Sequence, residues 1–575
     1  MSILRNCMQQ VSEISSIAIK SRPSFFQPNL FLPRCGIMLL VLAGQIGCDY
    51  RGRDSAATEP SQNQTNKSSS TQILKRGLPG EPRTLDPQLA DDTFSFQVVR
   101  DLYEGLTAED RHGQIVPGVA RSWSVDKTGT IYTFLLRSDA QWSDGDSIIA
   151  TEFVDGLRRA VNPQTASGSA SLLAVIKGAS AIIAGQKRVA DLGVTAIGES
   201  SVQIELEHPA PFVLQILSQP IAAPFHSRKA RLSSPLHSPS SASVTNGAYT
   251  LINRTPGSSI ELARNPKYWD VSSVMIERVR YVNAESEATE LRGYMAGQLD
   301  MTYTIPTPDL KRVMKSNGGE IQTAPILGTL YLALDVSEPP LRDNRDLRQA
   351  LSMAIDRDQI AEHLTLGVTP AYSFVARGIS NYTPPAYQWG GWTRERQLAY
   401  ARSLFARSGY SQSNPLHLTM YFNTAESLQR IMLAVADNWK ENLGVVTHLV
   451  NDEFRVFLTG RKDRSRWDVA RLGWWADYDD PASFLEIFSM NDPQNDPAYA
   501  SPDFNTLIYA ARLEPDPDKR IHLLQKSEEV MLNDYPIIPI YFYTARRLVK
   551  PYLGGAEITP LNRTYSKHLY WKNVL

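Results

Sequence analysis

"RLGWWADYDDPASFLEIF", residues 471–488, sets two tryptophans and a tyrosine among acids, three of which, Asp477, Asp479 and Asp480, lie within four positions. The run leading into it, "WDVARLGWW" (467–475), is apolar and β-branched enough to be a buried strand. Asp479 or Asp480 then suits a turn and a helix cap, and Pro481 opens a short helix over "PASFLEIF". A strand running into a helix argues for an α/β architecture. Asp477 falls just past the strand's end, the place where open α/β sheets commonly bind ligands.

Three uses compete for this cluster. Paired acids beside aromatic platforms would suit general acid/base hydrolysis of a glycan or wall polymer. Glycosidase carboxylates usually come from separate elements, however, and no second catalytic acid is named by the spacing. A turn accounts for Asp479 and Asp480, while Asp477 is placed to hold a cation.

Outward from this stretch, strand and helix patterns alternate. "TIYTFLL" (130–136) follows the turn "DKTG", and "SVQIELE" alternates Val202, Ile204 and Leu206 with polar residues, both as half-buried strands. "TAESLQRIMLAVADNWKENLG" predicts a helix with Thr424 as N-cap, a stripe of Leu428, Ile431, Met432, Val435 and Trp439, and a stop at Gly444. "LRQALSMAIDRDQI" turns Leu347, Leu351, Ala354 and Ile355 toward a core, and "TRERQLAYARSLFARSG" ends at Gly409. The body is α/β or α+β in several layers. Residues 226–243, rich in Ser and Pro, and 382–392 are irregular surface stretches.

Composition excludes several functions. At 575 residues the chain can hold two or three domains, and its net charge of -1 supplies no basic field for nucleic acid. The cysteines, Cys7, Cys35 and Cys48, all precede residue 49, so the body has no disulfide and no cysteine metal site. Nine scattered histidines show no tight ligand spacing, and no metal or cofactor is expected. Phosphate-binding glycine loops and G-x-S-x-G elbows are absent.

Residues 1–47 form a basic region followed by the short apolar run "GIMLLVLAGQIGC", which ends at Cys48. A spanning helix needs about twenty apolar residues, so this is an export signal. Residues 48–71 are polar and rich in Ser and Thr, as in a disordered tether. "QIGC" resembles a bacterial lipobox, which implies lipidation of Cys48; a cleaved signal and a free protein is the alternative.

The motifs "GEPRTLDPQ", "RDLYEGL", "PGVARSW", "QWSDGDSIIATEF", "TNGAYTL", "GQLDMTY", "RLGWWADYDDP" and "ARRLVKPYLGG" occur in order across residues 73–575. In that order they resemble the periplasmic oligopeptide-binding proteins, the receptors of peptide ABC transporters. The resemblance implies a nonenzymatic, monomeric receptor with two hinged lobes that close over a short peptide and deliver it to a permease. It implies lobe I from 72–107, 231–300 and 544–575, an extra domain at 108–230, and lobe II at 301–543. Asp477 would hold the peptide ammonium, and backbone near Gly473 and Trp475 would pair with the peptide. Trp474, Trp475, Tyr303, Tyr543 and Phe454 would wall its pockets. Arg471 and Arg461 would meet its carboxylate, with Lys462 competing for the second role. Ser95, Leu428, Ser169 and Phe454 depart from the family pattern, which points to a different ligand preference. A receptor for murein peptides is the nearest alternative.

Overall fold

The computed structural model describes residues 72–226, 244–364 and 367–572; the stretches expected to be an export signal and a tether, and Cys48, the expected lipidation site, lie outside them. Among the described residues no helix is long and apolar enough to cross a membrane.

The largest sheet has six strands in the order Thr369–Pro370, Ile537–Leu548, Ile321–Leu334, Val469–Trp475, His417–Asn423 and Val446–Asp452. Side chains alternate across it, as a strand's period of two requires. Leu330, Leu332 and Leu334 enter one core, and Leu327, Tyr331 and Ala333 the other. His417–Asn423 and Val446–Asp452 are parallel, so their link must cross over, and the helix Glu426–Leu443 does so. Its expected stripe from Leu428 to Trp439 is buried. Gly444 ends it with φ +77, a conformation suited to glycine. The cap differs from expectation. Ala425 occupies the cap position without a side-chain bond, while Thr424 Oγ1 accepts from Asn451 Nδ2 at 2.6 Å.

A four-stranded sheet runs Ile73–Leu78, Arg278–Asn283, Ser259–Arg264, Tyr249–Thr255. Its core also takes in Leu102, Val549, Leu553 and Leu569, so the first, middle and last described parts of the chain share one interior. The third main sheet is antiparallel, in the order Ala120–Val125, Ile131–Leu136, Ser201–Glu205, Val194–Ile197. The helix Ala150–Val161 buries Phe153, Leu157 and Ala160 in the same core as Phe134, Val202 and Ile204.

Two long strands run through the junction expected between 543 and 544. Ile321–Leu334 and Ile537–Leu548 pair from Ile321 with Leu548 to Ala333 with Ile537, with the register interrupted between Pro325 and Thr329. Proline has no N–H to donate to a ladder, which accounts for a break beginning there. Leu327 N instead donates to Pro560 O at 2.8 Å.

Candidate functional site

The strand Val469–Trp475 has one complete edge and one partial edge. It pairs with Gly328–Leu334 over its whole length, but with His417–Asn423 only at Val469 and Ala470. Ala476 N donates to Leu327 O at 2.8 Å. Alternation in an antiparallel ladder therefore turns the main-chain groups of Trp474 and Leu472 toward that neighbour, and those of Gly473 and Trp475 away from it. The outward groups lie where the second neighbour has ended.

Side chains alternate on the same strand. Leu472 and Trp474 pack into the core, and Trp474 Nε1 donates to Ser483 O at 2.6 Å. On the opposite face Trp475, 50% exposed, stacks on Tyr543 with ring centres 4.5 Å apart. Arg471 donates to the Tyr543 hydroxyl at 3.0 Å and to Asn423 Oδ1 at 3.2 Å. Gly473 lies between them because a Cβ there would approach the Tyr543 hydroxyl to 2.6 Å.

The three neighbouring acids have three different environments. Asp480 makes a two-pronged bond to Arg520, at 2.8 and 2.9 Å, and accepts from Ala482 N at 2.9 Å at the start of the next helix. Asp479 accepts from the backbone and hydroxyl of Ser380 at 2.9 and 2.6 Å. The Asp477 carboxylate has no hydrogen-bond or ion-pair partner among the described residues. Its main chain is nevertheless held on three sides: its N–H donates to Ser483 Oγ at 2.9 Å, and its carbonyl accepts from Gln219 Nε2 at 2.8 Å and Arg563 at 2.7 Å.

The Asp477 side chain is solvent-accessible, yet burial raises its carboxyl from the ordinary 3.8 to about 6, with Arg563 pulling the other way. Both hold for a group on the wall of a cleft, where solvent reaches one face and protein surrounds the rest. The turn is docked by further contacts: Tyr478 stacks on Phe212 at 4.2 Å, and Gln215 Nε2 donates to Asp479 O at 3.2 Å.

The remaining expected residues divide. Tyr303 is half-buried, its N–H donating to Glu290 Oε1 at 2.6 Å and its ring set edge-on to Phe94 at 5.9 Å. Burial raises its phenol, and Arg547 and Arg100 oppose that shift, so two guanidinium groups lie close to it. Arg461 is not a free cation. It pairs with the buried Asp496 at 2.9 Å and donates to Gln494 at 3.0 Å, and the competing Lys462 also pairs with Asp496. An arginine already neutralised in this way has little charge to offer a ligand. Phe454 is 52% exposed and, among the described residues, joins no ring stack.

Sequence reading missed Arg563, Gln219 and Glu109, the last of which pairs with Arg563. Arg563 stands 86 positions from Asp477, in a segment without a motif, and no local signal connects them. Arg100 stood inside a quoted motif, with nothing to indicate its role.

The chain is similar to known proteins over most of its length. Residues 114–496 match the family model described as "Bacterial extracellular solute-binding proteins, family 5 Middle". The chain is 34% identical over 536 residues to the periplasmic oligopeptide-binding protein OppA of Escherichia coli K12, covering 92% of this chain and 98% of that one. It is also 34% identical to the periplasmic murein peptide-binding protein MppA of the same organism, covering 87% and 93%. Among solved structures, Haemophilus influenzae OppA in complex with the peptide RPPGFSPFR superposes with a TM-score of 0.74 at 31% identity, covering 87% of this chain and 99% of that one. With a family model spanning most of the described body and relatives aligned nearly end to end, the chain belongs to the bacterial extracellular solute-binding proteins of family 5.

Proposed function

We infer that this protein captures short peptides outside the cytoplasmic membrane and delivers them, unmodified, to an ABC permease. The observation that carries this is the Asp477 carboxylate, which has no partner among the described residues and lies just past a strand edge whose Gly473 and Trp475 groups face outward. An extended peptide added to that edge would pair through its main chain irrespective of sequence, with its ammonium reaching Asp477. One such contact at 4 Å is worth about 4 kcal/mol at an effective dielectric of about 20, before desolvation is subtracted. Trp475, Tyr543 and Tyr303 wall the pockets, whereas Trp474, expected among them, packs into the core, and Arg471 takes the peptide carboxylate. The four-stranded sheet with the C-terminal segment makes one lobe, the six-stranded sheet the other, and residues 108–230 an extra domain. The paired strands Ile321–Leu334 and Ile537–Leu548 are the hinge, with the register break at Pro325–Thr329 as its flexible point. A ligand touching both lobes would favour the closed state that a permease reads. Cys48 anchors the monomer by a lipid through the 48–71 tether.

Isothermal titration with tri- to pentapeptides tests this reading. Free peptides bind, N-acetylated ones bind at least a hundredfold more weakly, and Asp477→Asn removes that difference. Equal affinity for free and acetylated peptides in the native protein would refute the assignment.

A receptor for murein peptides is the second reading. Arg100 and Arg547 lie near Tyr303, and neither has a carboxylate within ion-pair distance among the described residues. Arg547 bonds only the neutral Thr564 and Asn562 side chains, each at 2.6 Å. Two such cations suit a ligand with carboxylates beyond its C-terminus. Mass spectrometry of copurified ligands separates the readings.

A further inference from the structure

A second group of ligating side chains lies in the hairpin before the helix Ala150–Val161. Gln141 and Ser147 form a β-bridge across it, Trp142 N donates to Asp146 O at 2.8 Å, and Gly145 N donates to Trp142 O at 2.9 Å. Gly145 has φ +95, in the left-handed region where a side chain would be strained. This tight return brings Asp144 and Asp146 to the same side. His226 faces them from a distant part of the sequence.

His226 is 7% exposed, and its ring is stacked on Trp142 at 4.7 Å and 9°. The preceding residue is tied down by Phe225 N donating to Glu152 O at 2.9 Å. Nδ1 is 3.0 Å from Glu152 Oε1, while Nε2 is 3.5 Å from Asp144 and 3.4 Å from Asp146. Neither ring nitrogen makes an aligned hydrogen bond.

Those last distances lie within ion-pair range and also fit two ligands of one metal ion. A hydrogen-bonded N···O pair lies at about 2.7–3.2 Å. Two ligand atoms of one tetrahedral ion, with bonds of about 2.0–2.1 Å, lie about 3.3 Å apart. The Nε2–oxygen separations match the second case, and one ligand atom from each of the three residues falls within 4.8 Å of the others. Glu152 also occupies the usual place of an outer carboxylate, behind the other nitrogen of a ligating histidine. It is itself fixed, since its Oε2 accepts from Trp142 Nε1 at 2.8 Å and Ile149 N at 3.2 Å.

We propose that Asp144, Asp146 and His226 Nε2 bind one divalent transition-metal ion of the zinc type, with Glu152 orienting the imidazole. A nitrogen with two carboxylate oxygens suits zinc and its neighbours, whereas calcium and magnesium favour all-oxygen shells. The ion would pin residue 226 to the 141–147 hairpin. The site is independent of the peptide reading.

Zinc titration into the full chain, stripped of metal with a chelator, tests the proposal. One equivalent binds with a micromolar or tighter dissociation constant and raises the melting temperature; cobalt in its place gives a visible absorption band. Asp146→Asn lowers metal affinity at least tenfold, and His226→Gln removes the cobalt band, while both keep native peptide affinity. Asp146 is partly exposed, so its variant reads out even if His226→Gln fails to fold. Absence of stoichiometric uptake, uptake indifferent to Asp146→Asn, or an imidazolium whose nuclear magnetic resonance signals zinc leaves unchanged would each overturn it.

Discussion

Arg563 donates to the main-chain oxygen of Asp477 at 2.7 Å and pairs with the Glu109 carboxylate, so the arginine next to Asp477 is neutralised by a different acid. The Asp477 carboxylate is thereby positioned by its backbone and left chemically unspent.

That arrangement has a pH signature. The Asp477 carboxyl titrates near 6 in the fold, against 3.8 ordinarily, so between these values the folded state holds the extra proton. Ionising the group costs stability; the cost is absent below the unfolded value and complete above the folded one. Asp477→Asn should raise the melting temperature at pH 7.5 and leave it unchanged at pH 3.5. Peptide affinity of the native protein should rise from pH 5 to 7, with proton release on binding at pH 5.5, measured by calorimetry in buffers of different ionisation enthalpy.

Gly473→Ala should weaken peptide binding about tenfold, near 1.4 kcal/mol, because the new methyl displaces the Tyr543 hydroxyl from 2.6 Å. Adding Tyr543→Phe removes the clashing oxygen and should recover most of the loss in the same titration.

Arg471 is held by neutral partners, Asn423 and Tyr543, and retains its charge for a ligand. Arg471→Gln should cost about 1.5–3 kcal/mol for peptides with a free C-terminus, the range for charged hydrogen bonds. C-amidated peptides should lose little. Arg461→Gln should act on stability through Asp496 more than on that discrimination.

Asp480 and Arg520 form a largely buried pair. Arg520→Met strands the carboxylate and should cost about 3–5 kcal/mol in urea unfolding, whereas the double variant with Asp480→Leu should recover much of that.

Elements carried by local periodicity were legible in advance. The helix ending at Gly444 and the strands around Val202 and Phe134 follow from apolar spacing, and that spacing already says which side is buried. Thr424 was misjudged because a cap depends on where the chain enters the helix, and Asn451 on the neighbouring strand claims its hydroxyl. The pairing of Arg461 was out of view for a similar reason: its partner Asp496 belongs to another segment.

The order of strand and helix, the isolation of three cysteines before residue 49, and the division of Asp477 from its two turn-forming neighbours were contained in the sequence, because each depends on residues adjacent along the chain. The open edge of Gly473 and Trp475, the Arg563–Glu109 pair behind Asp477 and the approach of His226 to Asp144 and Asp146 were decided by tertiary structure. Those depend on where a neighbouring strand stops and on which distant charge neutralises which, and no local pattern encodes either.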